Sequence, residues 1–248
     1  MPEITPSRYL VQAGWSDVPH LDADTQRELL ASTQPYLRDA RSKGVPSLGA
    51  GAIYPVAESE IMVEPFAIPA YWPRAYGLDV GWNRTAAAWG AHDTNTDTLY
   101  LYAEHYRGQA EPSTHATAIR ARGDWMPGAI DPAARGRSQR DGEQLLQNYL
   151  DLGLKLTKAD NAVDAGIDDV WMRLATGRLK VFRTCLNWWA EYRLYRRDEK
   201  GKIVKANDHL MDATRYLIRT GLGLAITAPA HARGAITHHI VGDSHAGY

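Results

Sequence analysis

Short apolar runs separated by polar turn segments set in from residue 74 onward. Ala75-Tyr76-Gly77-Leu78-Asp79-Val80-Gly81 reads as a short strand that ends in Asp-x-Gly. Ala86 to Ala91 reads as a second strand and Leu99 to Tyr106 as a third. Asp93-Thr94-Asn95-Thr96-Asp97 supplies turn chemistry between them. These three form an antiparallel meander. Pro112 to Arg122 has helical spacing, and Ala129-Ile130-Asp131 is a short buried strand ending at an acid. Helices are predicted over 141–150 and 163–176, the second followed by Gly177. Strands are predicted over 153–157 and 179–182. Tyr192 to Arg196 and Lys202 to Lys205 flank the turn Asp198-Glu199-Lys200-Gly201, a β-hairpin pattern. A last helix runs from Asp208 to Thr220, with Gly221 as its stop. The order describes an α/β protein: a mixed central sheet flanked by helices, with an auxiliary β-hairpin. The first and fourth strands of such a sheet lie side by side.

Residues 1–73 follow a different pattern. Arg8 to Ala13 is a candidate strand, and Leu21 to Leu30 a helix with Asp22 or Asp24 as N-cap. Pro35 opens another helix, which Gly44 and Pro46 end. Pro55, Pro65, Pro69 and Pro73 then punctuate a stretch that reads as an extended crossing segment and not as core. The expected division is a helical adaptor and proline-rich connector over 1–73, an α/β domain over 74–225, and a mobile Gly/Ala/His-rich tail over 226–248.

Composition narrows the function classes. Hydrophobic residues make up 44% and charged residues 23%, a globular balance, and the formal net charge of -1 excludes a uniformly basic coat for nucleic acid. A local basic surface around an acidic centre remains compatible with it. Cys185 is the only cysteine, so neither an internal disulfide nor a cysteine-rich zinc site forms. No signal-type segment opens the chain, and no apolar run reaches the ~20 residues that span a bilayer. A soluble intracellular protein with no membrane partner is expected.

Three acids stand out by position. Asp79 ends the first core strand, Asp131 ends the fourth, and Asp212 lies on the closing helix. Side-by-side strands bring Asp79 and Asp131 together, and the helix can lay Asp212 against the same edge. Hard divalent ions take oxygen ligands, and two of them about 4 Å apart clamp an in-line displacement at phosphorus. Clustered carboxylates without such charge repel one another. A single strand-end aspartate is as readily a turn or cap residue, so the order of all three carries the reading. His209 shares a helix face with Asp212 and is a candidate to touch a metal, its water or the substrate. Asp208 is a further metal ligand, an orienting group or the N-cap of the helix, a role for which Asn207 competes. Gly81 keeps the approach open in this reading.

Basic residues surround these acids. Arg84 lies on the loop after the first strand. Arg135, Arg137 and Arg140 follow Asp131 in a Gly/Ser-containing segment. Arg193, Arg196, Arg197, Lys200, Lys202 and Lys205 outnumber Asp198 and Glu199 on the hairpin, a local net charge of +4. All are candidate phosphate contacts on DNA, against the simpler reading of a solvated loop and hairpin. Trp188, Trp189 and Tyr192 are expected to anchor the hairpin to the core rather than stack on bases. The chain has no G-x-x-x-x-G-K-[ST] run and therefore no P-loop ATPase of its own.

Tyr76-Gly77-Leu78-Asp79-Val80-Gly81-Trp82, Ile130-Asp131-Pro132-Ala133 and Asn207-Asp208-His209-Leu210-Met211-Asp212-Ala213-Thr214-Arg215-Tyr216 together resemble the nuclease part of the large terminase subunit of tailed double-stranded DNA phages. The likeness covers roughly 74–222. Upstream, Trp15-Ser16-Asp17-Val18-Pro19-His20-Leu21 resembles the segment that closes the ATPase half. The resemblance implies an RNase H-like fold with Asp79, Asp131 and Asp212 as catalytic aspartates and His209 beside the metal. It implies an endonuclease that uses Mg²⁺ or Mn²⁺, two ions, to cut concatemeric double-stranded DNA during genome packaging, leaving a 5′ phosphate and a 3′ hydroxyl. The implied partners are double-stranded DNA, the ATPase domain of the same full-length protein, the portal protein and the small terminase subunit. The implied location is the host cell cytoplasm, transiently at the procapsid portal and not in the mature virion. Two other readings stay open: a resolvase, integrase or ribonuclease H of the same fold, and a noncatalytic motor or portal-docking module.

Overall fold

A computed structural model of the chain describes residues 3–5, 8–9, 13–32, 42–44, 51–131, 139–198 and 202–229. Strands β1 (Glu3–Thr5) and β2 (Arg8–Tyr9) form a small antiparallel pair, and residues 10–12 of the run predicted to Ala13 lie outside the described residues. Helix α1 (Ala23–Ser32) begins where expected, and Asp22 caps it: its Oδ1 accepts the Thr25 N–H at 2.7 Å. Residues 42–43 are helical and Gly44 follows with φ 63°. The remainder of the helix predicted from Pro35 lies outside the described residues.

A short helix, α2 (Glu58–Ile61), leads into a seven-stranded mixed sheet that organises the rest. Its strands are β3 (Met62–Val63), β4 (Arg74–Asp79), β5 (Thr85–Asp93), β6 (Thr98–Arg107), β7 (Pro127–Ile130), β8 (Lys155–Lys158) and β9 (Leu179–Phe182), in the order β3-β9-β6-β5-β4-β7-β8. β4, β5 and β6 are the antiparallel meander, while β7 runs parallel to β4 and β8 parallel to β7.

Both faces of the sheet are covered, and the two faces differ in side-chain size. Alternate residues of β4 and β5 point to opposite layers, as the two-residue period of a strand requires. Tyr76, Leu78 and Trp89 pack with Ile119 of α3 (Pro112–Arg120) and Tyr149 of α4 (Gln139–Asp151). On the other face Ala75, Ala86 and Ala88 pack with α5 (Val163–Ala175), α6 (Leu186–Leu194) and α7 (His209–Tyr216). Small residues there let α7 lie close against β4 and β5. A π-helical turn over Leu217–Gly221 continues α7 into Leu222–Leu224, so Gly221 does not end the helix as its sequence position predicts.

Two expectations need correction. The proline-punctuated stretch before residue 74 is not an unpacked connector: Ile53, Tyr54, Val56, Ile61 and Trp72 are buried, and β3 pairs with β9 at the sheet edge. Pro55 sits between the buried Tyr54 and Val56, and Pro73 follows the buried Trp72. The hairpin is also shorter than its sequence pattern. Tyr192 to Leu194 belong to α6, and pairing starts at Arg196, whose carbonyl accepts the Val204 N–H at 3.0 Å. Trp188, Trp189 and Tyr192 are buried, as anchors to the core. The start of the expected tail is held in place too. Ile226 and Arg74 exchange backbone hydrogen bonds of 2.8 and 3.2 Å, and Ala228 is buried. Residues 230–248 lie outside the described residues.

Asp97 ties the β5–β6 turn to α5. Its φ is 49°, and it takes hydrogen bonds from Arg173 and Arg178 and contacts His92 Nε2 at 2.9 Å. His92 first, then the arginines, hold its carboxyl down to about 2. The lowered value means that this stabilisation is present above the ordinary aspartate range and is lost as pH falls from about 4 toward 2. The side chain is 45% exposed, so solvent screens the pairs. Asp97→Ala is expected to cost about 1–2 kcal/mol at neutral pH, read by urea denaturation, with Asp97→Asn costing less because asparagine tolerates positive φ.

Candidate active site

The site is assembled by one parallel strand pair and one helix. Leu78 of β4 is in register with Ile130 of β7, and Asp131 donates its backbone N–H to the Leu78 carbonyl at 2.9 Å. The two acids that follow in these strands, Asp79 and Asp131, therefore leave the sheet side by side. Helix α7 crosses the same strand over Gly77. A Cβ placed on Gly77 would lie 1.8 Å from the Ala213 carbonyl oxygen, so only glycine lets the helix backbone approach so closely. Asp212, adjacent to Ala213, is thereby carried to the end of β4.

Each carboxylate is engaged. Asp79 Oδ2 lies 2.8 Å from His209 Nδ1. Asp131 Oδ1 accepts the Tyr216 hydroxyl at 3.0 Å. Asp212 Oδ1 accepts from the buried Arg215 guanidinium at 3.0 Å, and its Oδ2 faces the Lys205 ammonium at 3.4 Å. Asp208 Oδ2 lies 3.1 Å from the same ammonium. Among the described residues, no three acids or histidines already converge as the ligand set of one ion.

Electrostatics mark Asp79 as the strained member. Its side chain is 13% exposed. Burial pushes its carboxyl up to about 6, opposed by the His209 hydrogen bond and reinforced by the negative charges of Asp212 and Asp131. The His209 imidazole is raised in turn, chiefly by its bond to Asp79. Lys205 is raised as well: burial works against its charge, and Asp212 and Asp208 outweigh that. A cluster that holds a carboxyl near 6 and draws a lysine inward attracts cations. Its donors are oxygens and one imidazole, the set that suits a hard divalent ion.

The basic residues divide. Arg84 stacks its guanidinium 4.3 Å from the Tyr106 ring centroid beside the site. Arg193 is committed to Glu58 by two bonds of 2.6 and 2.7 Å, and Arg197 is paired with Asp164 at 3.4 Å. Arg196 and Lys202 are exposed on the hairpin, and Lys205, itself largely exposed, reaches its ammonium to Asp208 and Asp212. Arg135, Arg137 and Lys200 lie outside the described residues, as does the side chain of Arg140. Gly81 serves the tight β4–β5 turn: its carbonyl accepts the Thr85 hydroxyl at 3.1 Å, and a Cβ there would meet the Arg84 carbonyl oxygen at 3.0 Å.

The sequence reading did not single out Tyr216, Arg215, Gly77 or Glu191. Only the Asp212–Arg215 pair had a local signal, the three-residue spacing that places both on one helix face. Trp82, three residues past Asp79, is 63% exposed, and its carbonyl is fixed by the Gln109 N–H at 2.8 Å.

Comparison with known proteins identifies relatives of the chain. Residues 76–220 match the family described as the terminase RNaseH-like domain. The large terminase subunit of Salmonella phage P22 is 32% identical over 210 residues, covering 81% of this chain and 42% of that protein. The chain thus spans about two-fifths of that relative's length. The solved nuclease domain of the P22 large terminase superposes with a TM-score of 0.68 at 31% identity, covering 73% of this chain and 97% of that one. The large terminase nuclease of thermophilic phage G20c, solved with bound magnesium, is similar in fold, with a TM-score of 0.50 and 13% identity over 69% of this chain and 98% of that one.

Proposed function

The chain belongs to the terminase RNaseH-like family, and on that premise we propose that it is a divalent-metal-dependent endodeoxyribonuclease that cuts double-stranded phage DNA during genome packaging. One observation supports this reading above the others. The β4–β7 register and the seat of α7 over Gly77 gather Asp79, Asp131 and Asp212 at one end of a parallel strand pair.

Asp79, Asp131 and Asp212 would hold Mg²⁺ or Mn²⁺, with Asp208 as a further oxygen donor. The magnesium bound in the G20c nuclease is in keeping with this. Two such ions, when bound, would supply Lewis-acid charge for water and phosphate, and hydrolysis would then leave a 5′ phosphate and a 3′ hydroxyl. The chain's own residues prepare the site. Tyr216 holds one oxygen of Asp131, and Arg215 holds one of Asp212, so each carboxylate is oriented from behind. His209 is fixed through Nδ1 by Asp79. Lys205 lies across Asp208 and Asp212, and its ammonium must yield before either carboxylate turns to a metal. Arg196 and Lys202, exposed on the hairpin, and Arg84 would meet the DNA backbone.

In the whole protein the reading extends to an ATPase portion upstream, a portal, and a small terminase subunit that chooses the cut. The work would take place in the host cytoplasm and at the procapsid. Among the described residues no helix is long and apolar enough to cross a membrane.

The test is substrate preference. Linear duplex, a four-way junction and an RNA–DNA hybrid are offered in Mn²⁺, and product ends are labelled with and without phosphatase. Preferential duplex cleavage with ends that label only after phosphatase treatment is expected. Preference for the junction or the hybrid would replace this reading with that of a resolvase or ribonuclease H.

Metal binding should also depend on pH. A protonated Asp79 is a poor ligand, and its carboxyl sits near 6. Mn²⁺ affinity measured by calorimetry is expected to be level above about pH 7 and to fall, by up to about tenfold per pH unit, below about pH 6.

A further inference from the structure

We propose that Glu191 is a positioning residue for the acidic centre: it caps helix α7 from a neighbouring helix and so leaves the Asp208 carboxylate available to the site. This rests on the metal-centre reading above.

The first N–H groups of a helix have no partner within it, and an aspartate at the N-cap ordinarily accepts the N–H two or three positions on. Asp208 is the N-cap of α7, yet it makes no side-chain capping bond. The Leu210 N–H, which an N-cap side chain would take, instead donates to Glu191 Oε2 at 2.5 Å. The other oxygen, Oε1, accepts the Tyr106 hydroxyl at 2.6 Å. Glu191 is only 2% exposed, so this buried carboxylate is held at two points, by strand β6 and by the positive end of α7. Leu210 lies between His209 and Asp212 in sequence. Fixing its backbone fixes where both side chains leave the helix. The Asp208 carboxylate, relieved of capping, faces Lys205 and the cluster.

Without Glu191, the acceptor nearest in sequence to the Leu210 N–H is Asp208 itself. Turning to cap its own helix would take its carboxylate away from the site. Glutamine at 191 keeps an acceptor oxygen for Leu210 and offers its amide to the Tyr106 hydroxyl, so position is retained without charge.

The experiment titrates Mn²⁺ into the purified full chain and follows the free ion by electron paramagnetic resonance. It runs in wild type, Glu191→Ala, Glu191→Gln, Asp208→Asn and the Glu191→Ala/Asp208→Asn double variant. Amide exchange at Leu210 is followed in the metal-free proteins. Glu191→Ala is expected to weaken Mn²⁺ binding on the order of tenfold, the usual cost of losing a group that orients a ligand. Glu191→Gln should bind nearly as wild type. Asp208→Asn should cost less in the Glu191→Ala background than alone, because the same carboxylate has already been diverted. Wild-type Mn²⁺ affinity in folded Glu191→Ala would overturn the proposal, as would a loss in Glu191→Gln equal to that in Glu191→Ala. Failure of the wild type to bind Mn²⁺ would sink the metal-centre reading instead. The cap is then judged by Leu210 exchange, which must quicken in Glu191→Ala and not in Glu191→Gln. Should Glu191→Ala not fold, Tyr106→Phe frees the other carboxylate oxygen and must weaken Mn²⁺ binding in the same direction. Unchanged binding there overturns the proposal.

Discussion

Gly77→Ala is expected to leave the protein unfolded or inactive at 37 °C. The added methyl would meet the Ala213 carbonyl oxygen at 1.8 Å and the Leu217 backbone nitrogen at 2.8 Å. Neither is the end of a flexible side chain, so strand β4 or helix α7 must move as a whole. Overpacking a core ordinarily costs about 1–3 kcal/mol, and a backbone clash belongs at or beyond the upper end. Moving α7 also draws Asp212 away from Asp79. The check is a urea melt together with Mn²⁺ binding. A variant that melts like wild type and binds Mn²⁺ normally would show that the helix does not need its close seat on the strand.

Alanine at Asp79, Asp131 or Asp212 is expected to lower cleavage on the order of 10³-fold, because metal stabilisation of a phosphoryl transition state amounts to several kcal/mol. The effect on stability should run the other way at one position. The Asp79 carboxyl is raised to about 6, so the folded protein binds this proton more tightly than the unfolded chain does. Above about pH 6 the folded state loses that advantage and carries a buried charge at a cost. Asp79→Asn removes the charge and should stabilise the metal-free protein at pH 7.5, by on the order of 1–3 kcal/mol. A variant both inactive and more stable is the signature of a site built for function at the expense of the fold. An Asp79→Asn protein less stable than wild type would indicate instead that the carboxylate supports the fold through His209.

The acids were legible in the sequence because each ends a regular element. Short apolar runs ending at an acid mark β4 and β7, and their order in the chain makes them possible neighbours. The closing helix announced itself by its 3.6-residue spacing. What the sequence concealed depends on contacts far along the chain. Tyr216 and Asp131 are 85 residues apart, and no local pattern joins them. The last residues of α6, Tyr192 to Leu194, match a hairpin strand in sequence. The buried face of the helix carries Glu191 beside Trp188, Trp189 and Tyr192, while Leu186, Ala190 and Leu194 lie on its exposed face, so polarity does not follow burial and the helical period is hidden. Glu191 was overlooked with it. The segment from Ile53 to Trp72 reads as a connector because its prolines leave room only for short elements, the helical turn Glu58–Ile61 and β3. Prolines do not prevent burial of the apolar residues between them, and Tyr192 donates its hydroxyl to the Tyr54 and Val56 carbonyls there. Lys205 read as a DNA contact from its basic surroundings, and only the fold shows it turned toward Asp208 and Asp212.

The most direct measurement is digestion of supercoiled plasmid by the purified chain in Mn²⁺, with EDTA and folded Asp131→Asn protein as controls. Loss of the supercoiled form only with wild type and metal is the expected result. Cleavage that survives EDTA, or that Asp131→Asn performs as well as wild type, would contradict a metal-dependent nuclease centred on these aspartates.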